Sequence, residues 1–105
     1  MKAQHALILT AGLMLSAPAL AEDGAALMKK HNCTTCHQVD KKTVGPALKA
    51  IAAKYAGDAG AAAKLEKKVR TGGAGSFGTM PMPAAPEKVS DADIKAMVGH
   101  ILATK

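Results

Sequence analysis

Apolar and polar positions along this chain recur with the period of helices, and no stretch carries the alternation of a strand. Four segments show the helical period. The first runs from Gly24 to about His31. Asp23 is its N-cap, Ala25, Leu27 and Met28 are its apolar positions, and Lys29, Lys30 and His31 gather at the end where positive charge is favoured. The second, Ala47 to Tyr55, sets Leu48, Ile51 and Ala52 on one face and is broken by Gly57. The third, Ala59 to about Arg70, follows Asp58 as its cap. It repeats Ala61, Ala62, Leu65 and Val69, and Lys67, Lys68 and Arg70 crowd its last turn before Gly72-Gly73. The fourth opens at Ser90 as N-cap with Asp91 and Asp93 behind it. Ile94, Met97, Val98, Ile101 and Leu102 form a continuous apolar face, which is expected to pack on the first helix. An all-α domain follows, with one long Gly- and Pro-rich loop from Gly72 to Val89.

The chain's start has a different pattern. Lys2 precedes an apolar run from Ala6 to Leu15, and Ser16-Ala17-Pro18-Ala19-Leu20-Ala21 supplies small residues at 19 and 21. This reads as a secretory signal peptide over residues 1–21, removed after Ala21, leaving one domain over 22–105. The run is shorter than the roughly 20 apolar residues that span a bilayer, so stable membrane insertion is not expected. Export places the mature chain in the periplasm. Without Lys2 it carries thirteen basic and eight acidic side chains, a net charge of +5, which suits acidic partner surfaces. With only 2% aromatic residues there is little to stack on bases, and nucleic acid is not an expected partner.

Composition also limits the core. Tyr55 and Phe77 are the only aromatics, tryptophan is absent, and much of the apolar content is alanine. A domain this small needs a staple such as a disulfide, a metal or a cofactor.

Cys33-Thr34-Thr35-Cys36-His37 supplies the chemistry. Two thiols three positions apart with an imidazole directly after them have the spacing of a c-type haem attachment site. Each thiol adds across one haem vinyl group, and the adjacent histidine reaches the iron from one side. A zinc half-site, a structural disulfide and a thioredoxin-like dithiol remain as alternatives. Zinc takes about four ligands, and His31 and His100 do not have finger-like spacing. A Cys33–Cys36 disulfide would close a very short loop and stabilise little. A redox dithiol needs a βαβ context that is missing here. Downstream, the carbonyl of Pro46 is free to take the Nδ1 proton of His37, and Pro46 also reads as the first residue of the second helix. The long loop holds Met80 and Met82, each followed by proline. A thioether is a soft ligand, and His/Met ligation is an established haem arrangement.

Taken in order, Cys33-Thr34-Thr35-Cys36-His37, Val44-Gly45-Pro46-Ala47, Ile51-Ala52-Ala53-Lys54-Tyr55, the glycines 72, 73, 75 and 78, Pro81-Met82-Pro83 and Ser90-Asp91 resemble the small bacterial class I cytochromes c, the cytochrome c-551 (c8) group. The resemblance covers essentially all of the mature chain. It implies about four helices wrapped around one covalently bound haem c, with the terminal helices crossed. Carried over by position, it makes Cys33 and Cys36 the thioether residues, His37 the proximal ligand, Pro46 the residue that orients it, and Met82 the sixth ligand; Met80 is then packing. Lys68 falls where a basic residue meets a haem propionate. Phe77 stands where the group often has tryptophan and cannot donate the indole hydrogen bond. A tryptophan common near His100 is also missing, and Pro86-Glu87-Lys88 lengthens the segment after Met82.

The expected function is a soluble periplasmic electron carrier of a respiratory chain, not an enzyme. It would act as a monomer or weak dimer and exchange electrons with redox proteins. The exposed haem edge is expected beside Thr34, Val44, Pro83, Ala84 and Ala85, with Lys29, Lys30, Lys41 and Lys42 steering acidic partners. The competing readings are a haem enzyme or ligand sensor with a displaceable Met82, and a thiol–disulfide oxidoreductase using Cys33 and Cys36.

Overall fold

The carboxylate of Asp23 accepts the Ala25 N–H at 3.2 Å and opens the first helix, α1 (Gly24–Lys30). The computed structural model describes residues 23–105; the expected signal peptide, residues 1–21, lies outside the described residues. The His31 N–H closes α1 on the Leu27 carbonyl at 2.9 Å. Asn32 then takes a left-handed conformation (φ 62°) and turns the chain into a single 3-10 turn, Cys33–Thr35. Three more helices follow: α2 (Leu48–Lys54), α3 (Ala61–Thr71) and α4 (Asp91–Ala103). Among the described residues there is no strand, only two isolated antiparallel pairings, His37 with Lys42 and Gly73 with Met82.

Two helix starts depart from expectation. Pro46 is not the first residue of α2: Ala47, in an extended conformation, is the N-cap and Leu48 the first helical residue, so Pro46 lies just outside. Asp58 does not cap α3; Gly60 holds that position without a side-chain bond. The Asp58 carboxylate accepts the Gly60 N–H at 2.8 Å and pairs with Lys64 at 2.8 Å. An aspartate bonding two residues ahead makes a turn of its own, and the helix starts after it. At α4 the expectation holds: Ser90 Oγ accepts the Asp93 N–H at 3.1 Å.

α4 is the hub, packing against α1, α2 and α3. Its apolar face, Ile94, Met97, Val98 and Ile101, is buried together with Leu27 and Met28 of α1, Leu48 and Ile51 of α2, Leu65 of α3, and Val89. Burial of a side chain of this size contributes about 1.5–3 kcal/mol. The α1–α4 crossing is tight: a Cβ on Gly24 would lie 2.4 Å from the Ala96 carbonyl oxygen. His31 Nε2 also meets Asp93 Oδ2 at 3.1 Å, joining the end of α1 to the first turn of α4. His100 is half-buried on α4, as its place beside the apolar face implies. These contacts hold the cysteine segment at one end of the helix pair.

Candidate functional site

Beyond the 3-10 turn, the backbone folds back on the cysteine segment. The Cys36 carbonyl accepts Thr43 Oγ1 at 2.6 Å and the Gly45 N–H at 2.8 Å. That return brings Pro46 behind His37, whose Nδ1 lies 2.8 Å from the Pro46 carbonyl oxygen. A carbonyl only accepts, so Nδ1 carries a proton, and in the neutral ring Nε2 is the nitrogen with the lone pair. Cys33, Cys36 and His37 then line a single cavity of about 360 Å³. Its wall is apolar, with Met28, Ile51, Leu65, Val69, Met97 and Ile101 contributed by all four helices.

The long loop supplies the remaining rim. α3 stops at Gly72, and Gly73 and Met82 exchange both backbone hydrogen bonds at 2.9 Å. This pairing fixes the backbone of Met82 where its side chain lines the cavity. Met80 also lines it but is 65% exposed, whereas Met82 is half-buried. Lys68 and Phe77 both border the cavity, Phe77 at 37% exposure.

The structure thus gathers Cys33, Cys36, His37, Met82, Lys68 and Phe77 around one space, with Pro46 lining it as well. The expected edge residues divide. Val44 and Pro83 line the cavity, and Thr34 and Ala84 are exposed away from its lining. Ala85 is a correction: it packs on the core and donates its N–H to the Val69 carbonyl at 2.9 Å, so it turns inward. Lys29, Lys30, Lys41 and Lys42 are all exposed, and Lys42 reaches the cavity rim. Thr43 was not foreseen as a brace of the site, because nothing in a Lys-Lys-Thr loop announces a bond to a carbonyl seven residues back.

The donor set fits haem. A soft thioether, an imidazole with one nitrogen committed to a carbonyl, and two thiols on one turn line one largely apolar cavity. Burial pushes the Cys33 thiol above its ordinary pKa, partly countered by a backbone hydrogen bond. Reactive thiols are held low instead, so Cys33 lacks the lowered pKa of a redox nucleophile. Among the described residues no group of three or more His, Cys, Asp or Glu is placed to hold a metal ion, and the zinc half-site finds no completing ligands.

Residues 21–105 match the sequence model of the cytochrome c family. This chain belongs to that family. It is 52% identical to cytochrome c-552 of Nitrosomonas europaea over 85 residues, covering 81% of this chain and 82% of that protein. It is 42% identical to cytochrome c-551 of Pseudomonas aeruginosa over 98 residues, covering 93% and 92% respectively. The crystal structure of wild-type Nitrosomonas europaea cytochrome c552 superposes with a TM-score of 0.73 at 53% identity, over 77% of this chain and 99% of that one. The all-helical fold is therefore that of a small class I cytochrome c. The cofactor is haem c with its iron, covalently bound, and Cys33 and Cys36 are the pair that suits the attachment. The family's chemistry is haem-based electron transfer between redox proteins. Among the described residues no helix is long and apolar enough to cross a membrane.

Proposed function

We propose that this cytochrome c is a soluble periplasmic electron carrier of a respiratory chain, with His/Met axial ligation and no enzymatic activity. In this reading residues 1–21 are removed on export and 22–105 form the monohaem domain. Cys33 and Cys36 would form the thioethers, and His37 through Nε2 and Met82 through Sδ would hold the iron. Haem supplies a one-electron Fe(III)/Fe(II) couple. The chain's residues do the rest. The Pro46 carbonyl holds the imidazole in one tautomer and orientation. The Gly73–Met82 pairing holds the thioether in place, and a thioether with an apolar wall favours the reduced state. With both axial positions filled, no site is left for a substrate, which argues against an enzyme or sensor.

The observation that carries this reading is a His37 ring fixed by Pro46 at 2.8 Å on the same cavity as a backbone-pinned Met82. The exposed Lys29, Lys30, Lys41 and Lys42 support docking to acidic redox partners. Optical spectra of the purified protein test the ligation. The reduced form should give sharp low-spin bands. The oxidised form should show a weak far-red thioether-to-iron band that disappears in Met82→Ala and persists in Met80→Ala. A five-coordinate high-spin spectrum, or rapid carbon monoxide binding to the reduced protein, would move the assignment to an enzyme or sensor. Recovery in the periplasmic fraction with Glu22 as N-terminus tests the export.

A further inference from the structure

Lys54 ends α2 and is exposed, yet its ammonium is engaged on three sides. Nζ donates to the Ser76 carbonyl. It also lies 4.5 Å from the centre of the Phe77 ring and 5.9 Å from that of Tyr55. These are the chain's one phenylalanine and one tyrosine, and both border the cavity. A single cation therefore faces both the phenylalanine and the tyrosine ring.

The loop it touches has little else to hold it. Between Gly73 and Met82, which pair with each other, the tip is closed internally by the Gly75 N–H on the Gly78 carbonyl at 2.9 Å. Among the described residues, the Lys54 bond is the one hydrogen bond that joins this tip to a helix. Neither a charge-assisted bond nor an exposed cation–π contact is large. At a tip with no other hydrogen bond to a helix among the described residues, however, their loss falls on local opening.

We infer that Lys54 is a positioning residue for electron transfer. Its ammonium latches the Ser76–Phe77 tip to α2 and keeps Phe77 seated on the cavity rim, closing the Met82 side to water and small ligands. Phenylalanine has no N–H with which to anchor itself, and the lysine supplies the anchor through the face of the ring. The consequence for the site rests on Met82 being the sixth ligand; the latch itself does not.

The test uses the holoprotein with Lys54→Ala, Lys54→Arg and Phe77→Leu. Two quantities are read: amide exchange across Ser76–Gly78 against that of α4, and imidazole affinity of the oxidised form. In Lys54→Ala, exchange at the tip should quicken about tenfold while α4 is unchanged. Imidazole affinity should rise by a similar factor. Lys54→Arg should restore both, since a guanidinium donates to a carbonyl and stacks on a ring. Phe77→Leu keeps the carbonyl bond and should show a smaller rise in exchange. Wild-type exchange rates in Lys54→Ala would overturn the latch. Faster exchange with unaltered imidazole affinity would overturn its role at the site. Oxidised wild-type protein that showed no far-red thioether band would count against Met82 ligation instead, and the exchange data would still decide the latch.

Discussion

His37 Nδ1 and the Pro46 carbonyl oxygen stand 2.8 Å apart, and Gly45, just before Pro46, leaves no room for a side chain beside the imidazole. A Cβ at Gly45 would come within 2.6 Å of Cε1 and 2.9 Å of Nδ1. The loop cannot easily retreat, because the Gly45 N–H and Thr43 Oγ1 both bind the Cys36 carbonyl. Gly45→Ala should therefore tilt the ring or stretch the Pro46 bond. We expect a loss of about 1–3 kcal/mol in denaturant unfolding, the usual range for overpacking, together with a shifted reduction potential. Unchanged stability and potential would mean that the loop yields freely.

Arg70 clamps the return from the long loop into α4. Its Nη2 donates to the Val89 carbonyl and to Asp91 Oδ1, each at 2.7 Å, and Nη1 to the Pro86 carbonyl at 3.3 Å. The planar fork reaches three acceptors from two separate nitrogens, a geometry that the single nitrogen of a lysine does not reproduce. Val89 beside it is 1% exposed. Arg70→Lys should destabilise by roughly 1–2 kcal/mol despite keeping the charge, because charge-assisted hydrogen bonds are lost. Thermal unfolding of the two proteins side by side checks this.

The parts of the fold that were legible in the sequence are those set by neighbouring residues. Asp23 and Ser90 cap their helices through side-chain oxygens, and the faces of α1 and α4 read directly from apolar spacing. The cysteines and His37 announced themselves because their chemistry depends on adjacency. Asp58 misled because aspartate serves caps and turns alike, and only the backbone decides which. The contacts of Lys54 with Ser76 and of His31 with Asp93 join residues 22 and 62 positions apart. No local pattern encodes such pairs. His31 and Asp93 meet because α4 packs on α1, Lys54 and Ser76 because the long loop returns to the end of α2, and Ala85 turns inward because its N–H bonds the Val69 carbonyl.

The Asp58–Lys64 pair gives a pH signature. Its hydrogen bond with Lys64, followed by that from the Gly60 N–H, lowers the Asp58 pKa below its ordinary 3.8. The same partner raises Lys64 above its ordinary 10.5. A lowered acid stabilises the fold above its unfolded pKa and loses that contribution as pH falls through the folded value. A raised base stabilises below its unfolded pKa and loses the contribution as pH climbs through the folded one. The stability difference between wild type and Asp58→Asn should thus be flat through neutral pH and shrink below about pH 4 and above about pH 10. Asparagine still offers an oxygen to Gly60, so the difference isolates the charge. A melting-temperature gap that persisted at pH 2 would show that the pair's charge contributes nothing.

Gly72 and Gly57 separate backbone strain from a direct effect on Met82. Both have positive φ, 67° and 78°, a region that costs an ordinary residue about 1–3 kcal/mol. Around Gly57 an added Cβ meets nothing within 4 Å. At Gly72 it would lie 2.4 Å from the Met82 carbonyl oxygen, 2.7 Å from the Ala84 nitrogen and 2.9 Å from the Pro83 carbonyl carbon. All three are backbone atoms of the segment that carries Met82, so no rotamer change relieves the clash. Gly57→Ala should then lower stability alone and leave the oxidised spectrum intact. With Met82 as the proposed sixth ligand, Gly72→Ala should lower stability further and weaken or abolish the far-red thioether band, because the segment bearing Met82 must move away from Gly72. If both variants kept the band equally, the backbone pairing of Gly73 with Met82 would not be what holds the thioether at the iron. The ligand would owe its place to the prolines on either side of it, and Pro81→Ala would become the variant that loses the band.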